Sequence, residues 1–223
     1  MADVKQSVNK IQVVGTVSEI NLKVETKEVT LKANGTEKKV TCKTISKEDF
    51  KNPSISVECN LETENGTKVI TVGGSFYPTH EKKIDDKGNV IDNPRFKSLE
   101  TIMNTYIPKS KVKDGEVATR VKMDGSLTAN EYATEQGEFK STTQINIFNC
   151  TSNGVPNEDI AEGEITGIIR TIKNEVKGEN NDETGRLIVE LYSFDNQGVT
   201  TPTNFVVEED LADDFKDMYE ATS

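Results

Sequence analysis

The stretch Val121–Cys150, VKMDGSLTANEYATEQGEFKSTTQINIFNC, contains two runs in which apolar and polar residues alternate. A short polar turn at 135–138, Glu-Gln-Gly-Glu, joins the two runs. Alternation with a period of two places every second side chain on the same face of a β-strand. The stretch therefore predicts a long β-hairpin, with Tyr132 on one arm and Phe139 on the other.

The same alternation recurs along much of the chain, for example at Val13–Val17 and Ile55–Cys59. Apolar residues with helical spacing occur only at 98–107, just before Pro108, and in the segment Leu211–Met218. The sequence therefore predicts a mainly β protein with two short helices.

An internal repeat indicates how the strands are organised. The segments 13–20, VVGTVSEI, and 165–172, ITGIIRTI, have apolar residues or glycine at the same four relative positions. Glycine weakens the middle of a strand, so Gly15 and Gly167 are expected where a strand bends or where another backbone approaches closely. We therefore expect two domains that begin with equivalent strands.

The first of these domains has the element order of a small barrel. The pattern predicts a strand, hairpins with Asn-Gly turns at 34–35 and 65–66, a helix at 98–107 and the closing hairpin. Three strands, a helix and two strands is the chain order of an OB-fold β-barrel. Residues 1–153 are therefore predicted to form an OB-fold domain.

A linker rich in Asn, Gly and Pro at 151–162 precedes the second domain. The pattern beyond it predicts a strand, a charged loop, a hairpin and a terminal helix, with the first three at 162–172, 174–185 and 186–207. Residues 154–223 are therefore predicted to be a second, smaller OB-like β unit that ends in an acidic helix. A complete barrel needs two further strands, which leaves open either a truncated chain or a reduced unit.

Two segments carry a family resemblance. The opening segment 9–20, NKIQVVGTVSEI, resembles the first strand of bacterial and phage single-stranded-DNA-binding proteins, in which Asn-x-[hydrophobic]-x-x-x-Gly-x-[hydrophobic] leads into the barrel. The stretch 121–148 resembles their closing hairpin, with a Val-x-x-x-Gly-x-Leu strand, an aromatic residue on each side of a polar turn, and a Thr-x-[hydrophobic]-x-[hydrophobic] return. The resemblance is to a divergent, phage-like form with tandem OB folds.

This resemblance implies sequence-independent binding of single-stranded DNA in phage DNA replication or recombination, and it implies no catalytic residues. It also implies that the acidic C-terminal segment contacts replication or recombination proteins, as acidic tails do in that family. The chain contains no tryptophan, the residue on which bases stack in the family. Tyrosine and phenylalanine would therefore have to supply the stacking rings.

The distribution of charge matters more than its sum. The net charge of −11 opposes binding to a polyphosphate, which is driven by Lys and Arg. Residues 208–223 contain seven acidic residues and one lysine, whereas residues 78–122 contain ten basic residues and seven acidic ones. The sector 78–122 is therefore predicted to be basic.

Aromatic residues lie within or beside this basic sector and on the closing hairpin. Single-strand binding combines a positive groove that follows the backbone with rings on which bases stack. We therefore predict a nucleic-acid-binding site made of Phe76, Tyr77, Lys82, Lys83, Arg95, Phe96, Lys97, Lys109, Lys111, Lys113, Arg120, Lys122, Tyr132 and Phe139.

Several of these residues have a structural alternative. Tyr132 shares the parity of the polar face of its strand, whereas Phe139 shares the parity of Ile145 and Ile147 and would face the core unless the strand bulges. Each ring could instead pack under a loop. The alternating lysines of 109–113 could neutralise phosphates or belong to a solvated loop.

The C-terminal segment 206–223 is open to three interpretations. Leu211, Phe215 and Met218 have the spacing of the inner face of an amphipathic helix, which favours a helix of the second unit. The segment could also be a flexible acidic tail that competes with DNA or docks partner proteins. The third interpretation is an interaction surface of its own.

Residues typical of catalysis or metal binding do not form a recognisable pattern. His80 is the only histidine, the three cysteines are scattered, and neither a phosphate-binding glycine loop nor a GxSxG motif occurs. The sequence therefore predicts a protein that is not an enzyme, uses no cofactor and binds no metal.

The function that the sequence favours is sequence-independent binding of single-stranded DNA by a basic groove and stacking rings. The alternative is a β-rich interaction or structural module without nucleic-acid binding, which would explain the acidity and the missing tryptophans more simply. The sequence has neither an apolar run long enough to span a membrane nor a signal peptide. We therefore expect a cytoplasmic protein, in the host cytoplasm if it is phage-encoded.

Overall fold

The structure is a computed structural model that describes residues 7–46, 52–63, 66–133, 139–178, 181–194 and 200–221. Side chains are described for the same residues except 129–133, 139–143 and 201. The described strands are β1 (Asn9–Asn21), β2 (Val24–Ala33), β3 (Thr36–Ile45), β4 (Ser54–Thr63), β5 (Gly66–Ser75), β6 (Thr79–His80), β7 (Lys82–Ile84), β8 (Val90–Asp92), β9 (Arg120–Ala133), β10 (Phe139–Thr151), β11 (Ile160–Ile165), β12 (Ile168–Lys177), β13 (Asp182–Phe194) and β14 (Thr200–Val207). The helices are α1 (Pro94–Thr105) and α2 (Glu209–Met218), and neither of these described helices is long and apolar enough to cross a membrane.

A six-stranded sheet, five strands of which close into a ring, is the main element of the fold. Its strand order is β11-β1-β4-β5-β10-β9, and β1 also pairs with β9, so that the ring consists of the five strands β1, β4, β5, β10 and β9. Along the chain, three of these strands precede α1 and two follow it, and the last two exchange places in the sheet. This is the arrangement of an OB-fold barrel, so the prediction of a mainly β protein with an OB barrel is confirmed.

Alternate residues of the barrel strands point inward and form the core. The most deeply buried of them are Val13, Val17, Ile55, Val57, Cys59, Val121, Met123 and Ile147, each at most 1% exposed. Burial of an aliphatic side chain of this size contributes about 1.5–3 kcal/mol. The barrel is therefore held mainly by a continuous apolar interior to which β1, β4, β9 and β10 contribute side chains.

Helix α1 begins earlier than its apolar spacing indicated, at Pro94 instead of near residue 98. Asn93 is its N-cap, since the side-chain oxygen accepts a hydrogen bond of 3.1 Å from a backbone N–H of the first turn. Proline is favoured in the first turn because the missing N–H has no partner there in any case. The overlooked start signal was thus the Asn-Pro pair, and Leu99 and Ile102 lie on the buried face as expected.

The hairpin β2–β3 lies between the first two barrel strands along the chain but joins another sheet, in the order β2-β3-β6. Its turn has φ 48° at Asn34 and 75° at Gly35, as the predicted Asn-Gly hairpin turn requires. The hairpin packs on a small core of Val29, Leu31, Cys42 and Ile84. The turn was predicted correctly, but turn chemistry does not specify which sheet a hairpin joins.

The two glycines of the internal repeat have the same structural role. A Cβ atom on Gly15 would lie 2.3 Å from the carbonyl oxygen of Glu58 in β4. A Cβ atom on Gly167 would lie 2.2 Å from the carbonyl oxygen of Tyr192 in β13. Both glycines therefore permit the close approach of a neighbouring backbone, as the sequence predicted.

A β-bulge follows each of these glycines at the same distance along the chain. In β1 the pairing with β4 skips Ser18, and in β12 the pairing with β13 skips Arg170. Both extra residues stand three positions after the glycine. The repeat is therefore structural, and β12 and β13 correspond to the first two strands of the barrel.

Contacts divide the chain into two compact units. The barrel unit comprises residues 12–125 and 146–162, and the C-terminal unit comprises residues 1–11, 126–145 and 163–223. The arms of the β9–β10 hairpin thus belong to the C-terminal unit. The predicted division into two contiguous domains, residues 1–153 and 154–223, stays a prediction.

The C-terminal unit contains a three-stranded sheet, β12-β13-β14, followed along the chain by α2. This order matches the first three strands and the helix of an OB fold, as predicted. Ala212 and Phe215 of α2 pack against the sheet, whereas Leu211 is 57% and Met218 is 68% exposed. The helical interpretation is therefore confirmed. The predicted inner face is correct for Phe215 but wrong for Leu211 and Met218, because the helix approaches the sheet through the small side chain of Ala212.

The charged segment 174–185 is mostly strand and not the predicted loop. β12 continues to Lys177 and β13 begins at Asp182, where these two residues pair. Across the ladder, Glu175 accepts hydrogen bonds of 2.8 Å from Nε and 2.7 Å from Nη2 of Arg186. Charged residues that pair across strands in this way extend a hairpin where composition alone suggests a loop.

Replacement of Gly15 by alanine tests the close approach of β1 and β4. We expect Gly15→Ala to lower the free energy of unfolding by about 1–3 kcal/mol, because the new methyl group overlaps the carbonyl oxygen of Glu58. Gly73→Ala in β5 is the matched control, since its Cβ would meet nothing nearer than Ser56 Oγ at 3.7 Å. Equal urea-unfolding midpoints for the two variants would contradict the assignment.

Candidate nucleic-acid interface

A cleft beside Tyr77 brings together several of the predicted binding residues. It has a volume of about 470 Å³ and lies among β2, β6, β7 and the start of α1. Four basic residues and one exposed aromatic ring line it, namely Lys32, Lys82, Lys83, Arg95 and Tyr77. No acidic residue is among the described residues of this lining, although the chain carries a net charge of −11. We call this feature the Tyr77 cleft.

The ring of Tyr77 is exposed but fixed in position. It is 56% exposed, and the guanidinium carbon of Arg95 lies 5.6 Å from the ring centroid. The side-chain amide of Asn146, a buried residue of β10, donates a hydrogen bond of 2.9 Å to the Tyr77 hydroxyl. Arg95 Nη2 also donates to the carbonyl oxygen of Ile147 at 3.4 Å. The barrel therefore holds the tip of the ring and leaves much of its surface open.

The segment that follows Tyr77 is anchored by the hairpin sheet. β6 pairs with the end of β3, and His80 Nδ1 lies 3.0 Å from Oγ1 of the buried Thr44. The side chain of Asn93 donates to the carbonyl oxygen of His80 at 3.0 Å. Partial burial, with a smaller contribution from Lys27, lowers the pKa of His80 below its ordinary value. Its surroundings therefore favour the neutral imidazole.

Two lysines of the cleft differ in their surroundings. Lys82 Nζ lies 2.6 Å from Asp92 Oδ1, and this hydrogen bond raises the pKa of Lys82. Lys97, which is outside the cleft lining, shares the same carboxylate at 3.3 Å. Lys83 is exposed and forms no ion pair with the described part of the chain. Exposed ion pairs contribute little, so a phosphate can compete with Asp92 for Lys82.

The lysines of 109–113 lie outside the cleft lining. Lys109 and Lys111 bound a single 3₁₀ turn, and Lys109 forms an ion pair with Glu58 of β4. Lys111 and Lys113 are exposed. This run is therefore not part of the Tyr77 cleft.

Arg120 was predicted to bind DNA, but its guanidinium contacts other residues of the protein, and the structure corrects this prediction. Its Nη1 lies 2.6 Å from Oδ1 of Asp159, and Nη2 donates to the carbonyl oxygens of Pro156 and Asn157 at 3.0 Å each. Burial alone would raise the pKa of Asp159, but hydrogen bonds from Asn60 and Arg120 lower it overall. Arg120 therefore fastens the segment 156–159 to the barrel. Lys122 remains partly exposed, 3.7 Å from Asp124.

Phe76 and Phe96 were predicted to bind DNA, and the structure corrects both predictions. Phe76 is 4% exposed and Phe96 is 1% exposed. A buried ring has no free face on which a base can stack, so these two residues belong to the core. The side chains of Tyr132 and Phe139 lie outside the described residues, and their predicted role stays a prediction.

The outer face of β4 and β5 is unlike a nucleic-acid surface. OB folds commonly bind ligands on the face of their second and third strands. Here the paired outer positions are Ser56 with Gly73, Glu58 with Thr71, Asn60 with Val69, and Glu62 with Thr67. These positions contain neither an aromatic ring nor a basic side chain. Four basic side chains and an exposed ring meet instead in the Tyr77 cleft.

Sequence reasoning missed three residues of the cleft and its support, namely Lys32, Asn93 and Asn146. Lys32 joins the cleft because β3 pairs with β6, a contact between distant segments that leaves no local signal. Asn93 had a detectable signal, since Asn before Pro marks a helix start. Asn146 lies on a barrel strand, and its 8% exposure at a polar residue marks a supporting role.

Replacement of Arg120 tests whether it is a structural residue. We expect Arg120→Ala to lower the free energy of unfolding by about 1–3 kcal/mol, because the Asp159 carboxylate, only 6% exposed, would keep its hydrogen bonds from Asn60 but lose its cationic partner. Lys122→Ala removes the same charge from a longer, partly exposed pair in the same strand and should cost less than about 1 kcal/mol. Chemical unfolding of both variants measures the difference, and similar losses would refute the structural role of Arg120.

Comparisons with known proteins complete the description. The sequence matches the family model described as YorF over residues 7–223. No curated protein matches the sequence. Among solved structures, the chain is similar to a deletion mutant of the single-stranded DNA binding protein from Thermus aquaticus, with 10% sequence identity and a TM-score of 0.46 over 93% of this chain and 78% of that one. It is also similar to the Plasmodium falciparum SSB in complex with ssDNA, with 15% identity and a TM-score of 0.30 over 73% of this chain and 97% of that one. Because the family model spans nearly the whole sequence, the chain belongs to the YorF family.

Proposed function

We propose that this protein binds single-stranded DNA without sequence preference through the Tyr77 cleft. The observation that carries the proposal is a cleft without acidic lining residues, on an OB barrel of a strongly acidic chain, in which basic side chains surround a fixed and exposed ring. Grooves of this composition bind single strands, because positive charge follows the backbone while rings stack on bases.

Each part of the cleft has a distinct role in this proposal. Tyr77 stacks on a base, a contact that contributes about 1–3 kcal/mol and does not discriminate among bases. Arg95, whose guanidinium lies over the ring, pairs with a phosphate, and Lys82 and Lys83 neutralise neighbouring phosphates. Double-stranded DNA is disfavoured because the faces of its bases are already stacked on one another. Lys32 adds a further charge from the hairpin side.

The remaining predicted contacts extend the same proposal. Beyond the cleft, the strand contacts Lys97, Lys109, Lys111, Lys113, Lys122, Tyr132 and Phe139. Residues 1–153 supply the DNA-binding domain, and the acidic segment of residues 154–223 contacts replication or recombination proteins. The setting that we propose is phage DNA replication or recombination in the host cytoplasm, in line with the resemblance of the opening strand and the closing hairpin.

Titration of labelled oligo-dT at two salt concentrations tests the function. We expect binding at low salt that weakens as salt is raised. Basic side chains displace the cations that surround the DNA, and release of these cations into solution is less favourable when the salt concentration is high. Fluorescence anisotropy measures the affinity. Absence of binding at low salt would refute the function and would favour an interaction module without nucleic acid.

Replacement of Tyr77 tests the site. We expect Tyr77→Ala to weaken oligo-dT binding by about tenfold through the loss of stacking. Tyr219→Ala is the matched control, because Tyr219 is comparably exposed at 48% but follows α2 in the acidic segment. Equal affinities of the two variants would place the binding surface elsewhere.

The pH dependence of binding tests the position of His80. Burial holds the pKa of His80 in the free protein below its ordinary value, whereas a phosphate in the cleft favours the charged imidazolium and would raise this pKa. Binding is therefore coupled to uptake of a proton by His80, so affinity should rise as the pH is lowered from neutral. His80→Gln should flatten the increase, and an unchanged pH profile in this variant would exclude His80 from the cleft's electrostatics.

A further inference from the structure

The sheet of the C-terminal unit carries a second pair of an arginine and a tyrosine. The guanidinium carbon of Arg170 lies 5.5 Å from the centroid of the Tyr192 ring. Arg170 Nη1 also donates a hydrogen bond of 2.7 Å to the Tyr192 hydroxyl. Arg170 is exposed and Tyr192 is half-buried. The pair reproduces the chemistry of Arg95 and Tyr77, where the corresponding distance is 5.6 Å.

The bulge in β12 is what directs Arg170 toward the ring. Arg170 is the extra residue between Ile169 and Thr171, so it has no partner in the ladder with β13. Bulges redirect a side chain and are frequent beside functional sites. In β1 the bulge has the same position, but its extra residue is Ser18. The repeat therefore preserves the bulge in both units, and only the C-terminal unit uses it to place a cation beside a ring.

The register defines the face on which this pair lies. Tyr192 pairs with Pro202, Glu190 with Asn204, and Ile188 with Val206, so these residues share one face of β13 and β14. Lys173 of β12 pairs with Ile188 and extends the same face. Helix α2 packs with the intervening residues Leu187, Val189 and Val207, which lie on the opposite face. We call the face that carries Tyr192 the outer sheet face.

The outer sheet face combines exposed apolar groups with cations. Ile188 is 39% and Val206 is 45% exposed. Arg170 and Lys173 supply two positive charges, and the single acidic residue in these rows, Glu190, lies 3.6 Å from Arg170 Nη1. Aliphatic side chains and a ring accept the flat faces of bases, while the cations match the phosphates between them.

We propose that the outer sheet face is a second binding surface for single-stranded DNA, with Tyr192 stacking on a base and with Arg170 and Lys173 contacting phosphates. This proposal rests on the proposed function of the Tyr77 cleft. By the internal repeat, β13 and β14 correspond to the second and third strands of an OB fold, whose exposed face commonly binds ligands. The equivalent face of β4 and β5 carries Glu58 and Glu62 and has neither ring nor cation at its paired positions. In this proposal the barrel unit binds DNA through the Tyr77 cleft, whereas the C-terminal unit binds it through the face of its second and third strands.

The experiment uses the full chain with the Tyr77 cleft disabled by Tyr77→Ala and Arg95→Ala. This variant should retain weak, salt-sensitive binding of labelled oligo-dT. Addition of Arg170→Ala and Tyr192→Ala should weaken the remaining binding by about tenfold or more, as loss of a stacked ring and a phosphate contact requires. Lys216→Ala in the same background is the charge control. Lys216 belongs to α2 and donates a hydrogen bond to Asn174, which pairs with the core residue Leu187 and therefore lies on the face opposite to the outer sheet face. This control should bind as the background does.

A conservative variant separates stacking from a structural effect. Tyr192→Phe keeps the ring and removes the hydroxyl that Arg170 contacts, so it should retain most of the residual affinity, and thermal unfolding should show all variants folded. Residual binding that is unchanged by Arg170→Ala with Tyr192→Ala, or abolished equally by Lys216→Ala, would overturn this proposal alone. Failure of the unmodified protein to bind oligo-dT would overturn both proposals.

Discussion

The close approach of β1 and β4 at Gly15 is the constraint on which the barrel depends. β1 pairs with β4 on one side and with β9 on the other, so it is the strand that closes the ring. Closure requires this strand to bend, and the carbonyl oxygen of Glu58 occupies the space that any side chain at Gly15 would need. The bulge at Ser18 then restores the inward direction of the apolar residues that follow. Barrel closure, the apolar core and the placement of β5, from whose end Tyr77 emerges, all depend on this strand geometry.

An acidic chain can hold a polyanion if its charges are segregated. At physiological ionic strength, exposed charges separated by more than about 8 Å interact weakly, so acidic residues beyond that distance do not cancel the field of a local cluster of cations. Locally, the Tyr77 cleft is lined by cations without a carboxylate among its described lining residues. The acidity elsewhere can increase selectivity, since it repels polyphosphates from every surface except those that present cations and rings together.

The sequence was most informative where a physical requirement is local. The glycine repeat, the Asn-Gly turn at 34–35 and the alternation of the barrel strands each follow from backbone sterics or strand geometry, and all three predictions are confirmed. Exposure was harder to predict, because Phe76 and Tyr77 are adjacent and only the tertiary fold determines that the first is buried and the second is open. Arg120 was misassigned for a related reason, since its hydrogen-bond acceptors lie in the segment 156–159, and no local sequence pattern indicates this contact. Lys32 was missed because a long-range strand pairing brings it to the cleft.

The noncontiguous make-up of the C-terminal unit has a consequence for its evolution. Residues 126–133 of β9 and 139–145 of β10 belong to this unit although both strands are strands of the barrel. A gene segment that encodes only residues 154–223 would lack the part of the closing hairpin that belongs to the C-terminal unit. Recombination at the linker would therefore not transfer an intact module, and the two halves of the gene are expected to have diverged together instead of being exchanged as separate cassettes.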